Sequence, residues 1–151
     1  MIWPFLREIV AAGDTFTYDP DLDEARARGL WLLAPPGRTV VAVDTDGTIV
    51  GSAKMNPNQG GPGSHVASAS FMVDRARRGN GVGRALGEHA IEWARRHGYR
   101  AVQFNAVAAS NTRAVALWRS MGFEVIATIP EGFRHPTLGY VGLHVMYLRL
   151  T

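Results

Sequence analysis

The 151-residue chain contains no cysteine. That one absence removes disulfides, thiolate metal sites and a cysteine nucleophile. The five histidines, His65, His89, His97, His135 and His144, show no H-E-x-x-H or other paired-ligand spacing, and no metal is expected. Internal repeats and low-complexity segments are missing. Long apolar runs are missing too: Met1 to Gly13 is interrupted by Arg7 and Glu8, so it reads as neither a signal peptide nor a membrane span. A cytoplasmic protein with no membrane partner is the expectation. The net charge of +3 is mild, and the basic residues cluster at 75–84 and 95–100 instead of covering a face with interleaved aromatics. Nucleic acid is therefore not an expected partner.

What is present is a chain of ordinary globular composition, 46% hydrophobic and 19% charged, expected to form one domain over residues 1–151. Its most informative stretch is Phe71 to Gly98. An apolar strand runs into the turn Arg78-Gly79-Asn80-Gly81-Val82-Gly83, and a helix follows with Val82, Leu86, Ala90 and Trp93 on one side. Glycines accept positive φ and leave no Cβ in a ligand's way, so backbone N–H groups of such a turn can converge on one point. The helix aims its free amides and positive dipole end at the same point. With Arg75, Arg77, Arg78 and Arg84 around it, a diphosphate is the natural guest. The spacing is not G-x-x-x-x-G-K-[ST], and G-x-G-x-x-G with an acidic residue about 20 positions on is also absent, which excludes a P-loop and a dinucleotide fingerprint.

The remaining elements follow from periodicity and punctuation. A first helix is expected over 3–12, capped by Gly13, and a second from a capping box at Asp21 and Glu24 toward Leu33. Thr39 to Val43 and Thr48 to Met55 read as a hairpin turning at Asp46-Gly47, and Asn56 to Ser64 as a loop. His65 to Val73, Ala101 to Val107, Phe123 to Ile129 and Leu143 to Leu150 read as strands. Ser110 or Asn111 opens a short helix that ends at Gly122, and Pro130 to Gly142 reads as a loop. This order describes a mixed α/β chain, a mixed sheet with helices on both faces.

The R-x-x-G-x-G turn heading a long helix resembles the pyrophosphate arm of the GNAT superfamily of acyl-CoA-dependent N-acetyltransferases. The later block from Asn111 through Ala114, Leu117 and Trp118 to Gly122-Phe123 is similar to that family's N-x-x-A-x-x-L-Y-x-x-x-G-F helix. The resemblance implies two splayed parallel strands, ending near Val73 and Val107, with the pantetheine arm of acetyl-CoA in the gap. It places backbone groups of Phe71, Met72 and Val73 against that arm, and the pyrophosphate on Arg78, Gly79, Asn80, Gly81, Val82, Gly83 and Arg84. Asn111 falls on the cofactor side, a role compatible with its position as a helix cap. The family usually begins with a strand before the first helix. This chain opens inside that helix, so either the strand is lacking or the natural start lies upstream, and the Thr39 to Val43 edge is expected to pair in a homodimer or with the extra strand.

The reaction the resemblance implies is direct attack of a neutral primary amine on acetyl-CoA in a ternary complex, with a backbone amide of the Phe71 to Val73 strand stabilising the oxyanion. The acceptor is a small-molecule amine or a protein N-terminus. His65 and Glu131 are candidates to take the amine proton, directly or through water. Where many members carry a tyrosine acid, this chain has Trp118, whose indole N–H is no usable acid near neutral pH. Trp118 is thus expected to pack or to wall the cofactor channel, and Tyr140 or Tyr147 are candidates to replace the tyrosine, unless the thiolate leaves unassisted. Phe16 and Tyr18, Asn56 to His65 and Glu131 to Tyr140 are expected to line the acceptor pocket. The alternative to an enzyme is a CoA-binding sensor or interaction module without chemistry.

Overall fold

The computed structural model describes residues 1–151. Two helices lead, α1 (Trp3–Ala12) and α2 (Glu24–Trp31), followed by strands β1 (Arg38–Val43), β2 (Ile49–Pro57) and β3 (Val66–Val73). Then come α3 (Val82–Arg96), β4 (Ala101–Ala108), α4 (Thr112–Ser120), β5 (Glu124–His135) and β6 (Gly139–Arg149). The six strands form one sheet in the order β1-β2-β3-β4-β6-β5. All neighbours are antiparallel except β3 and β4. The mixed sheet with helices on both faces is as the sequence indicates.

Strand alternation splits the core in two. Ala67, Ala69, Val102, Phe104 and Met146 point to one face, where α3 and α4 cover them with Ala90, Ile91, Trp93, Ala94 and Trp118. Met72 points to the other face, against Phe5, Leu6, Ile9 and Val10 of α1 and Trp31 of α2. On that face the buried indole N–H of Trp31 donates to Ser52 Oγ at 2.8 Å, and Ser52 donates to the Val40 carbonyl at 2.7 Å. The Trp31 indole and the Ser52 hydroxyl are both matched, which avoids the cost of an unpaired buried group, about 1–3 kcal/mol.

Two readings need correction. The N-cap of α2 is Asp23, whose carboxylate accepts from Arg26 N–H at 2.8 Å, so Asp21 and Glu24 form no capping box. Asp21 instead donates its N–H to Asp19 Oδ1 in the preceding turn. The segment Pro130 to Gly142 is also not a loop. β5 continues to His135 and β6 begins at Gly139, with Phe133 opposite Val141 and Arg134 opposite Tyr140. An edge strand tolerates Pro130, which has no N–H to give a neighbour, and a register shift between Ile129 and Phe133 absorbs Glu131 at φ 53°. The true turn is three residues, held by His135 Nδ1 accepting from Thr137 and Leu138 N–H.

The feature that positions the site is the one parallel pair. β3 and β4 are in register only at Val66 with Ala101 and Ala67 with Val102. Beyond Ala67 the two strands part, and a bulge in β4 between Phe104 and Val107 accompanies the divergence. From Ser68 to Val73, β3 is bonded to β2 along one edge and has no β4 partner along the other.

Candidate active site

The gap between β3 and β4 is a cleft with two communicating chambers, which share Thr15, Phe16, Phe71, Asn111, Ala114 and Trp118 as walls. The larger, about 410 Å³, runs from the free edge of β3 at Phe71, Met72 and Val73 to the glycine turn. Gly79 and Gly81 sit at φ 85° and 79°, in the left-handed region that glycine occupies without a Cβ penalty. Gly81 is the N-cap of α3 and provides no side-chain cap. The first intrahelical bond runs from Ala85 N–H to Gly81 O, so the amides of Val82, Gly83 and Arg84 have no acceptor within the helix. All three residues line the chamber.

The arginines of this end divide into two groups. Arg75 is paired with Asp14 and Arg77 with Asp44, each at 2.7 Å, and these pairs lock the turn to the α1 terminus and to the β1–β2 hairpin. Arg78, Arg84 and Arg113 line the chamber and form no ion pair with a carboxylate. Arg84 donates to Ser120 Oγ at 2.8 Å, which leans it toward α4. Arg113 was missed in the sequence because its motif points to its neighbour Asn111. Asn111 caps α4, its Oδ1 accepting from Ala114 N–H at 3.3 Å, and also lines both chambers. Asn80 is exposed at the tip of the turn and is not among the lining residues.

Trp118 is 6% exposed and sits where the chambers meet. Its ring centroid lies 4.7 Å from that of Phe71 and 4.9 Å from that of Phe104. On its other side it meets α3 at Gly87, where an added Cβ would stand 2.8 Å from Cζ3 of the indole. Gly87 therefore sets how deeply the indole can withdraw from the cleft. Trp118 is both a packing residue and a wall.

The smaller chamber, about 270 Å³, lies beyond Trp118 and is lined by Thr17, Tyr18, Ser68, Ser70, Asn105 and Val107 as well as the shared walls. Phe16 and Tyr18 stack with centroids 5.5 Å apart. Asn105 accepts from Gln103 at 3.0 Å and donates to Asn58 Oδ1 at 2.6 Å, so the loop after β2 braces one wall residue of this chamber, but no residue from Asn56 to His65 lines it. Thr15, whose Oγ1 is buried and without a partner, belongs to the wall common to both chambers.

His65, Glu131, Tyr140 and Tyr147 line neither chamber. His65 is exposed before β3, roughly 20 Å along the strand from Phe71, and its carbonyl accepts from Arg100 N–H. Glu131 is exposed in the β5 bulge, Tyr140 is exposed near the hairpin tip, and Tyr147 lies opposite Gln103 and Glu124 in the sheet. Of the segments expected to line an acceptor pocket, Phe16 and Tyr18 line the smaller chamber, and Asn56 to His65 and Glu131 to Tyr140 lie outside it.

This geometry has a close match among known proteins. The family model for the acetyltransferase (GNAT) family matches residues 3–123. The chain belongs to the GNAT family. A solved GCN5-related N-acetyltransferase from Kribbella flavida is 62% identical, over 97% of this chain and 89% of that one, with a TM-score of 0.94. A phosphinothricin acetyltransferase from Sinorhizobium meliloti, solved in complex with AcCoA, shares the fold at 21% identity and a TM-score of 0.85, over 99% of this chain and 81% of that one. The N-acetyltransferase aca1 of Schizosaccharomyces pombe is 28% identical over 99 residues, 66% of this chain and 47% of its own length. The chain spans less than half the length of the curated relatives it matches. No helix is long and apolar enough to cross a membrane, and no group of three or more His, Asp or Glu side chains is placed to hold a metal ion.

Proposed function

We propose that this GNAT chain transfers an acetyl group from acetyl-CoA to a primary amine by direct attack within the cleft. The observation that carries the reading is the continuity of one surface: the unbonded edge of β3 leads into three free helix amides ringed by three arginines without carboxylate partners. A pantetheine arm offers amide groups that can pair with that edge as an added strand would. A diphosphate suits the amides and arginines. The thioester would then lie beside Phe71 and Trp118, with a β3 amide in reach of the oxygen that becomes negative. The acceptor enters from the smaller chamber.

Calorimetry with acetyl-CoA and thiol release with a broad amine panel test this together. Tight binding with thiol release supports the proposal, and binding with no release from any amine supports a CoA-binding module instead. The second reading is favoured by one observation, the indole of Trp118 where an ionisable acid would assist the thiolate. The open edge of β1, with Val41 and Val43 exposed, is consistent with pairing to a second copy, which light scattering would detect.

A further inference from the structure

We infer that the acceptor chamber draws on the fraction of amine that is neutral in solution, which favours an α-amino group or another amine of pKa near or below about 8 over a lysine-type ε-amine. The inference rests on the acetyltransferase reading above. Its basis is the chamber's wall, which contains no aspartate, glutamate, histidine, lysine or arginine, so Tyr18 is its one titratable side chain.

The titratable groups nearest that wall do not line it. From β2, Lys54 Nζ lies 5.4 Å from the Tyr18 ring centroid and donates to the Leu30 carbonyl at 2.8 Å. From β6, His144 is opposite Val107, its Nδ1 meets Thr128 Oγ1 on β5 at 2.8 Å, and the residue lines neither chamber. The arginines of the larger chamber are cations as well. An ammonium ion in the chamber would meet Ser68, Ser70 and Asn105 as dipoles and cations farther off, a setting that disfavours its charged form. The neutral amine is what the site can hold. Its nitrogen lone pair forms the N–C bond, the C–S bond breaks with its electron pair going to sulfur, and the spare proton on nitrogen passes to the thiolate or to water.

The two mono-acetylated lysine amides test this, since they share one skeleton and differ in which amine is free. At neutral pH the α-amine has a neutral fraction about 250-fold larger than the ε-amine, and kcat/KM is expected to favour it by a factor of that order. Across acceptors of different pKa, the pH at which kcat/KM levels off should follow the acceptor's own pKa. Equal rates for the two isomers, or one level-off pH below 8 shared by all acceptors, would overturn the inference and reveal an enzyme base. Thiol release from ε-amines while every low-pKa amine fails would also overturn it, whereas acetyl-CoA binding with no release from any amine would count against the proposed function. Absence of acetyl-CoA binding would instead remove the proposed function itself.

Discussion

The two ends of the cleft are built on opposite principles. The larger chamber, the proposed cofactor end, is ringed by cations and free amides, almost all of them drawn from one local run, Arg77 to Arg84. The acceptor end carries no charged side chain and is assembled from Thr15 to Tyr18, from Ser68 and Ser70 on β3 and from Asn105 on β4. Phosphate oxygens demand positive charge wherever they are bound, so that end is fixed by electrostatics. An amine that must attack as a free base demands the reverse, a place where its protonated form gains nothing.

The largest expected effect comes from reversing the charge of the cofactor end. Gly81→Glu sets a carboxylate beside the three free amides and forces a side chain into φ 79°. Acetyl-CoA binding should fall below detection in calorimetry, while circular dichroism shows the fold intact at a stability cost of roughly 1–2 kcal/mol. Retained affinity would show that the glycine turn does not hold the diphosphate. Removing single cations is a milder cut. Arg78→Ala and Arg113→Ala should each weaken acetyl-CoA about tenfold, near 1.4 kcal/mol, with a shallower salt dependence. Arg75→Ala, which loses a partner to Asp14 outside the chamber, should change affinity much less.

At the acceptor end, Asn105→Asp brings a carboxylate into the uncharged wall. The preference for α- over ε-amines should narrow by several-fold, read as the ratio of kcat/KM values, since an ammonium now finds a counter-charge and a base. An unchanged ratio would mean that Asn105 does not face the amine. The smallest effects belong to Trp118, where the two ends meet. Trp118→Phe should keep the stacking with Phe71 and Phe104 and lose little kcat. Trp118→Tyr could add an acid for the departing thiolate and raise kcat with little change in KM, by well under the roughly 100-fold at the low end of general acid catalysis. A collapse of kcat in the Phe variant, with binding intact, would show that the indole takes part in the chemistry.

The same contrast explains what could be read from the chain. The cofactor end was legible because its determinants are contiguous: strand, glycine turn and helix follow one another, and α1 is bounded by its apolar spacing and by Gly13. The acceptor end depends on which residues the sheet brings together across long separations. Asn58 and Asn105 are 47 positions apart and meet because the sheet sets the end of β2 and β4 on either side of β3. His65 and Glu131 were reasonable by type, yet strand direction puts the first at the wrong end of β3 and a bulge leaves the second on the far side of the sheet's edge. Pro130, Gly132 and Gly139 read as loop punctuation because the edge position that tolerates them is a tertiary fact.

The central claim is that acetyl-CoA lies along β3 with its diphosphate on the first turn of α3. Amide chemical shifts of the ¹⁵N-labelled protein, followed as acetyl-CoA is added, test it most directly. The account predicts that the largest changes fall on Val82, Gly83 and Arg84, with a second group on Phe71 to Val73, and that both are lost in Gly81→Glu. Shifts concentrated elsewhere, with the α3 amides unmoved at saturation, would contradict it.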